Sequence, residues 1–241
     1  MAADGGLGLR NASRRVRLVT TLIVLLGVMW SPLPAMAEEP LRVMPLGDSI
    51  TEGANGDATY RYFLWHNLLN AGYAVDFVGS MHGVKGRRAQ PLYPDFDQDH
   101  EGHSGWTSKK IGNYANLFAQ QADPDVVLLH AGTNDLLRGV APSRVKRNLQ
   151  RIVEQVRLAN PVVVVYIAQI IPIQGLEAQV TELNGAISAL AAEMNTSASP
   201  VIAVDQNTGF NVNADLKADG IHPTESGFVK MAEQWFAAID A

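Results

Sequence analysis

The chain has 241 residues, a formal net charge of −5 and no cysteine. The lack of cysteine excludes disulfides, a thiol nucleophile and thiolate metal sites. After residue 37 no block of basic residues is present, which argues against nucleic acid or an anionic membrane as the partner.

The first 37 residues have the layout of a secretory signal peptide. Arginines at positions 10, 14, 15 and 17 precede an apolar run over 18–30, and small residues follow at Ala35 and Ala37. The run is shorter than the roughly 20 apolar residues that span a membrane, and a retained anchor is the alternative. We therefore expect cleavage after Ala37, export to the periplasm or the medium, and one monomeric domain over 38–241 without membrane contact.

Short apolar runs alternate with longer segments of helical period along the rest of the chain. The runs, rich in Val, Ile and Leu, predict strands over 41–46, 74–78, 126–130, 162–168 and 200–204. The segments between them predict helices over 60–71, 108–121, 143–160, 176–194 and 224–239. This alternation predicts a three-layer α/β/α sandwich with a mainly five-stranded parallel sheet. In such sheets ligands bind beyond the carboxyl ends of the strands.

One connection, over 80–107, is too long for its neighbours and is rich in Gly, Pro, His and Asp. Loops of this length in a compact domain are usually functional or disordered. The aromatic residues Tyr93, Phe96 and Trp106 favour an ordered loop that lines the site.

The first predicted strand ends in Gly47-Asp48-Ser49. A serine hydroxyl needs a base to remove its proton, and it must stand clear of the sheet. A strand-to-helix turn with Gly47 ahead of the serine would present Ser49 in this way. From these residues alone, an equal alternative is that Asp48 and Ser49 only cap a helix.

Near the C-terminus, Asp219 stands three residues before His222. Its carboxylate can accept a hydrogen bond from the imidazole Nδ1–H, which fixes the tautomer and leaves Nε2 facing a serine. Gly220 allows a tight turn, and Pro223 starts the last helix. A capping aspartate beside an exposed histidine is the alternative for this motif taken alone.

Two further positions can stabilise the oxyanion that forms when a serine attacks an ester. Asn134, in Gly132-Thr133-Asn134-Asp135 after the third predicted strand, can donate its side-chain amide. Gly79 closes the second predicted strand and can donate its backbone N–H, although glycine at a strand end is also ordinary turn chemistry. The Ser49 N–H would be the third donor.

These motifs, in this order and after successive predicted strands, resemble those of the SGNH (GDSL-type) hydrolases across essentially all of 38–241. The resemblance implies a flavodoxin-like sandwich and an SGNH hydrolase catalytic domain. The roles that it implies are nucleophile for Ser49, base for His222, orienting residue for Asp219 and oxyanion donor for Ser49, Gly79 and Asn134. The chain departs from the GDSL name at Ile50, a conservative change from leucine.

Three further segments, 44–51, 60–65 and 100–106, are similar to the carbohydrate esterases of this group, which include acetylxylan esterases. The candidate substrate contacts are Asp48, Arg61, His103 and Trp106. Aromatic rings such as Trp106, Tyr93 and Trp65 can stack on sugar faces, and an arginine can bond hydroxyl groups. Core packing is the alternative for Trp65 and Tyr60, and a surface salt bridge is the alternative for Arg61.

Two groups of metal-binding residue types lie in 80–107. His100 and His103 stand three apart with Gly102 between them, whereas the zinc motif H-E-x-x-H needs histidines four apart on a helix. We therefore expect neither a catalytic metal nor a cofactor. Aspartates at 95, 97 and 99 alternate as in a calcium loop, but the glycine and the final glutamate of that pattern are missing. A solvated acidic loop is the default, and a structural calcium ion stays open.

Taken together, the sequence predicts an exported serine esterase that hydrolyses short acyl esters, acetyl above all, with an acylated plant polysaccharide such as xylan as its substrate. A lysophospholipase or thioesterase on the same triad is the rival enzyme. A non-catalytic carbohydrate-binding protein with a vestigial triad is the alternative from another class.

Overall fold

The computed structural model describes residues 39–241, so the predicted signal peptide and its cleavage site lie outside the described residues. The strands are β1 (Leu41–Gly47), β2 (Val75–Phe77), β3 (Met81–His82), β4 (Asp99–Gly102), β5 (Val126–His130), β6 (Val164–Gln169) and β7 (Val201–Asp205). The helices are α1 (Ser49–Glu52), α2 (Tyr60–Asn70), α3 (Ser108–Ala122), α4 (Thr133–Leu137), α5 (Pro142–Ala159), α6 (Glu177–Met194) and α7 (Glu225–Ile239). None of the helices formed by this part of the chain has the length and apolar character needed to cross a membrane.

The strands form one sheet in the order β3-β4-β1-β5-β6-β7, and β2 also pairs with β1. Every pairing is parallel except that of β3 with β4. The predicted parallel strands are therefore confirmed as β2, β1, β5, β6 and β7. Each residue of β5 is buried, because helices cover both faces of a parallel sheet.

The helices form a layer on each face of the sheet. On one face α3 packs on α5 and α5 on α6, while α2 packs on α7 on the other face. In α5 the apolar residues recur every three or four positions and are buried, namely Val145, Leu149, Ile152 and Val156. Each face has its own apolar cluster, one including these residues and one including Trp235 and Phe77. The predicted three-layer sandwich is confirmed.

Two strands share one edge of β1. The register of β2 brings Phe77 beside Val43, whereas β4 places Gly102 beside Gly47 at the end of β1. The Asp99–Gly102 segment has no apolar run, so its residue pattern predicts no strand within 80–107. Three of its four residues are nevertheless buried. The long connection therefore supplies a strand that lies next to the turn at Ser49.

The contact between β4 and α1 requires glycine at position 102. A Cβ atom at Gly102 would lie 2.5 Å from Glu52 N and 2.9 Å from Glu52 Cα. Both are backbone atoms, so α1 would have to move. We expect Gly102→Ala to lower the free energy of unfolding by about 1–3 kcal/mol, as overpacking of a core does. Chemical denaturation of the whole chain measures this change.

Gly185→Ala is the matched control. Gly185 lies in α6, and a Cβ atom there would meet nothing within 4 Å. Alanine is a better helix former than glycine by about 1 kcal/mol. The control should therefore be neutral or more stable. Equal stability of the two variants would show that the Gly102 backbone contact does not constrain α1.

Candidate active site

Ser49 is the first residue of α1 and follows β1 through a sharp turn. A Cβ atom at Gly47 would lie 2.5 Å from the carbonyl oxygen of His130, so only glycine fits beside β5. The carboxylate of Asp48 caps α1 by accepting the N–H of Ile50 at 3.0 Å. Close packing before the serine and a cap on α1 together position the Ser49 side chain at the carboxyl edge of the sheet.

His222 lies in the loop between β7 and α7, and backbone contacts hold it in place. Its carbonyl accepts the N–H of Lys217 at 2.8 Å. Gly220 has φ of +69°, a left-handed conformation that glycine adopts without strain. Asp219 Oδ1 accepts the N–H groups of Ile221 and His222, each at 2.9 Å. The carboxylate and the imidazole are therefore held on one turn.

The structure brings Ser49, His222 and Asp219 together. His222 Nδ1 lies 2.7 Å from Asp219 Oδ2, and His222 Nε2 lies 2.9 Å from Ser49 Oγ. The serine and the histidine are 173 positions apart in the chain. Since the Nδ1–H group donates a hydrogen bond to Asp219, the lone pair of Nε2 faces the serine hydroxyl.

Asp219 carries its charge next to the imidazole. Partial burial raises the pKa of Asp219, but hydrogen bonds from the His222 backbone, the His222 ring and the Ile221 backbone lower it by more. The net pKa lies below the ordinary value of 3.8. An ionised carboxylate at this position stabilises a protonated imidazole.

Asn134 lies in α4, directly beyond the carboxyl end of β5, and contacts the residue before the nucleophile. Its Nδ2 donates to Asp48 Oδ2 at 3.2 Å. Burial raises the pKa of Asp48 to about 6, although hydrogen bonds from Ile50 and Asn134 and the nearby His222 favour the charged form. Because Asp48 occupies one N–H of the amide, the second is free to point toward a substrate.

Gly79 lies away from the nucleophile, and its predicted role as an oxyanion donor is wrong. β2 ends beside Val43, and the N–H of Val78 donates to the Val43 carbonyl at 2.9 Å. Strands rise about 3.3 Å per residue, so Gly79 lies well below the end of β1. A Cβ atom at Gly79 would fall 2.8 Å from Glu101 N. Glycine is needed there for packing against β4.

The segment after β4 lies next to the turn at Ser49, because Gly102 pairs with Gly47 at the end of β1. The N–H of Gly102 donates to His100 Nδ1, that of His103 to the Gly47 carbonyl and that of Ser104 to Glu52 Oε2. The N–H of Trp106 donates to the His103 carbonyl. Within the described residues, the N–H of Gly105 faces no acceptor. It is therefore one backbone donor of this segment that no protein acceptor occupies.

A buried carboxylate anchors the same segment. Glu101 is fully buried and accepts the N–H and the hydroxyl of Ser80 at 2.7 and 2.9 Å. Its Oε1 also lies 2.6 Å from His103 Nε2. The His103 ring stacks on Trp106 with 4.1 Å between ring centroids. These contacts fix the turn that carries Gly105.

A cavity of about 240 Å³ lies beside the nucleophile. Its lining residues are Ser49, Gly53, Ala54, Asp57, Lys85, Ser104, Lys217, Asp219 and His222. Lys85 and Ser104 come from the long connection over 80–107. That connection lines the site, as its aromatic residues indicated.

Arg61 is not a substrate contact, which corrects the prediction. Its side chain is fully buried, and its guanidinium donates to the backbone carbonyls of Thr51, Glu52, Gly83 and Gln98. Burial lowers the pKa of Arg61 to about 10. The arginine joins α1 to the long connection and so supports the turn from behind.

The other candidate substrate contacts also lie outside the cavity. Asp48 is fully buried, and its two oxygens are bonded to Ile50 and Asn134. His103 is committed to Glu101, and the Lys110 ammonium lies 4.1 Å from the Trp106 ring centroid. These contacts correct the predicted substrate roles of Asp48 and His103, whereas Trp106 is only partly buried and its substrate role stays a prediction.

The aromatic residues considered as sugar platforms have packing roles. Tyr60 is fully buried, and its hydroxyl lies 3.1 Å from Thr51 Oγ1. Trp65 packs against the apolar cluster of the α2 and α7 face. Tyr93 packs on Tyr62 and donates to Glu225 at 2.8 Å.

The acidic and histidine side chains of the long connection point to different partners. Asp97 accepts the N–H groups of Phe77 and Asp99, and Asp99 Oδ1 lies 2.7 Å from His82 Nδ1. Burial lowers the pKa of His100 well below its ordinary value. Residues 39–241 contain no group of three or more such side chains that could hold a metal ion.

Five residues at or near the site were not predicted from the sequence. They are Asp57, Lys85, Lys217, Glu101 and Gly105. Asp57 and the lysines are ordinary charged residues without a motif. Glu101 and Gly105 lie in the 100–106 segment, which is similar to the carbohydrate esterases. That similarity could have identified them, but the residues predicted from it as substrate contacts were His103 and Trp106.

Solved structures of esterases resemble this fold closely. An acetyl esterase variant solved with an acetate ion is 33% identical, with a TM-score of 0.74 over 83% of this chain and 96% of the other. The Clostridium thermocellum family 3 carbohydrate esterase is 32% identical, with a TM-score of 0.71 over 84% of this chain and 96% of the other.

Curated relatives and a family model agree with these structures. The multidomain esterase of Ruminococcus flavefaciens is 27% identical over 237 residues, which is 87% of this chain and 30% of that protein. The chain spans between 30% and 63% of the length of the curated relatives it matches. The model of the GDSL-like Lipase/Acylhydrolase family matches residues 46–229. The chain therefore belongs to the GDSL-like lipase/acylhydrolase family of carboxylic ester hydrolases.

Proposed function

We propose that this esterase removes short acyl groups, acetyl above all, from a polysaccharide through an acyl-enzyme formed on Ser49. The observation that carries the proposal is the continuous set of contacts from Asp219 through His222 to Ser49, at 2.7 and 2.9 Å. This arrangement supplies a nucleophile, a base and an orienting carboxylate at hydrogen-bonding distance.

Acylation begins when His222 Nε2 takes the proton of Ser49 Oγ. The oxygen then attacks the carbonyl carbon of the ester and forms a tetrahedral intermediate. Asp219, ionised and bonded to Nδ1, stabilises the resulting imidazolium. The imidazolium gives its proton to the leaving alcohol oxygen as the carbon–oxygen bond breaks, and the acyl group remains on Ser49.

Three donors serve the oxyanion in this proposal. They are the N–H of Ser49 at the start of α1, the N–H of Gly105 and the second N–H of the Asn134 amide. Asp48 orients that amide through the 3.2 Å contact to its Oδ2. Donors placed in advance stabilise the developing negative charge without reorganisation.

Deacylation repeats the same steps with water as the nucleophile. His222 takes a proton from water, which attacks the acyl carbon while the same donors hold the oxyanion. The proton then returns to Ser49 Oγ, and the carboxylic acid leaves. The proposed reaction needs no cofactor.

The cavity favours a short acyl group over a lipid chain. Its volume of about 240 Å³ is below the usual 300 Å³ or more of sites for drug-sized ligands. Its lining includes two lysines and two aspartates. A long alkyl chain would have to displace water from these charged groups without hydrogen-bonding to them, which is unfavourable. The acetyl esterase and the family 3 carbohydrate esterase among its structural relatives support an acetylated sugar as the substrate.

The proposal also places this activity outside the cytoplasm. The arginine-rich start, the apolar run over 18–30 and the small residues at Ala35 and Ala37 support export. A polysaccharide substrate such as xylan fits an exported enzyme.

Replacing the nucleophile tests the mechanism. We expect Ser49→Ala to remove almost all hydrolysis of 4-nitrophenyl acetate and all labelling by a fluorophosphonate, because within residues 39–241 Ser49 Oγ is the one side-chain atom in hydrogen-bonding contact with His222 Nε2. Ser197→Ala is the control, since Ser197 is exposed in the loop between α6 and β7. Turnover by Ser49→Ala equal to that of the control would refute the mechanism. Glycan binding without labelling of the unmodified chain would support the non-catalytic alternative.

A series of esters tests the substrate class. The rate of hydrolysis should fall from acetate through butyrate to octanoate and palmitate esters of 4-nitrophenol, because the small charged cavity excludes a long chain. Acetate release from acetylated xylan, pectin and chitin oligomers identifies the polysaccharide. A maximum at long chains, or preferred cleavage of lysophospholipid, would assign the rival lipid esterase function.

The buried Asp48 predicts how stability depends on pH. Its pKa is about 6 in the folded chain against an ordinary 3.8, so the folded state binds more protons between these values. Stability therefore falls as pH rises through this window, by about 3 kcal/mol in total. Asp48→Asn removes the titration. The measured quantity is the free energy of unfolding of the variant minus that of the unmodified chain. We expect this difference to increase by about 3 kcal/mol from pH 4 to pH 7.

Urea unfolding of both proteins at each pH measures this difference, and groups that titrate equally in the two proteins cancel. A new donor facing Asn134 adds an offset that does not depend on pH. A difference that stays flat from pH 4 to pH 7 would show that Asp48 is not protonated preferentially in the folded state.

A further inference from the structure

The cavity beside Ser49 is lined by two lysines that the reaction itself does not use. Lys85 comes from the long connection over 80–107, and Lys217 precedes the turn of Asp219 and His222. The N–H of Lys85 donates to the Gly53 carbonyl at 3.1 Å. Its backbone is therefore fixed against the end of α1, within the wall of the cavity.

The acidic groups of the same cavity are already committed to protein partners. Asp57 accepts the N–H of Ala54 with one oxygen and the ammonium of Lys217 with the other. Both oxygens of Asp219 accept hydrogen bonds from the His222 turn. Asp57 therefore already pairs with Lys217, and both oxygens of the ionised Asp219 are directed to the His222 turn.

The lysines retain unused donors. An ammonium group has three N–H donors, and Lys217 directs one of them to Asp57 while its side chain is 36% exposed. Lys85 is exposed, and it forms no ion pair with a carboxylate in residues 39–241. Among the described residues, the Lys85 ammonium therefore has no carboxylate partner, and Lys217 keeps N–H donors beyond the one directed to Asp57.

We propose that Lys85, supported by Lys217, binds a carboxylate of the substrate and makes this esterase selective for acidic esters. The inference rests on the proposed function, because it concerns the cavity of the Ser49 site. A carboxylate can belong to either side of the ester bond. It lies on the alcohol side in an acylated uronic acid and on the acyl side in a half-ester of a dicarboxylic acid.

Two pairs of model esters separate these sources. On the alcohol side, 4-acetoxybenzoate is compared with the neutral 4-acetoxybenzamide. On the acyl side, monoethyl succinate is compared with ethyl 4-methylpentanoate, which has a similar shape and no charge. The measured quantity is the ratio of kcat/KM for the charged ester to that for its neutral partner. Comparing each ratio between variants cancels the intrinsic reactivity of the esters.

The variants are Lys85→Gln and Lys85→Glu in the full chain, with Lys146→Gln as the control. Lys146 pairs with Glu193 on the surface of α5 and α6, so its loss makes the same change in net charge away from the cavity. We expect the ratio for one ester pair to fall about fivefold in Lys85→Gln, the size of a partly exposed ion pair. It should fall further in Lys85→Glu and stay within about twofold in the control. Raising the salt concentration should lower the ratio of the unmodified chain.

The outcomes separate the two levels of the proposal. A lower ratio for the alcohol-side pair assigns the carboxylate to a uronic acid, and a lower ratio for the acyl-side pair assigns it to a half-ester. Unchanged ratios for both pairs in Lys85→Gln would overturn the role of Lys85, while hydrolysis of the neutral esters would leave the esterase function standing. No hydrolysis of any of the four esters by the unmodified chain would overturn the proposed function itself.

Discussion

The hydrogen bond between Ser49 Oγ and His222 Nε2 is the contact on which the proposed chemistry depends. It forms because local contacts hold each of the two side chains in place. Ser49 is held by the Asp48 cap and by the close approach of Gly47 to β5. His222 is held by backbone bonds within its own turn. The sheet joins the two because parallel strands end at one edge. A small shift of α1 or of that turn would break a contact of 2.9 Å.

Asp48 shows how much this arrangement costs. A fully buried carboxylate with a pKa of about 6 is a charged group held in an unfavourable environment at neutral pH. One of its oxygens caps the helix that begins at Ser49, and the other accepts a hydrogen bond from Asn134. The same side chain therefore fixes the position of Ser49 relative to Asn134, a proposed oxyanion donor. The alternative that Asp48 and Ser49 only cap a helix is therefore half right. Asp48 does cap α1, and Ser49, the first residue of that helix, contacts His222.

The sequence sufficed where the signal was local or periodic. Apolar runs predicted the five main parallel strands, the period of α5 predicted its buried face, and the three-residue spacing of Asp219 and His222 predicted their contact. The predicted oxyanion role of Gly79 was wrong because the position of a backbone donor depends on strand register, which residue type does not reveal. β2 stops beside Val43, and the strand that reaches Gly47 is the polar β4. The predicted substrate contact of Arg61 was wrong because its partners are backbone carbonyls. Every residue has a carbonyl, so no sequence pattern marks these partners.

The long connection over 80–107 joins these observations. Its buried Glu101 fixes the turn that carries Gly105, its β4 strand packs against α1, and Lys85 lines the cavity. The proposed nucleophile, base and orienting carboxylate come instead from the ends of the domain, at Ser49, His222 and Asp219. Charge at Lys85 can therefore change without altering the residues that form and break bonds. The proposed selection of the ester and the proposed chemistry on it therefore lie on separate segments, so a change in the ratio of kcat/KM between two substrates can test the first independently of the second.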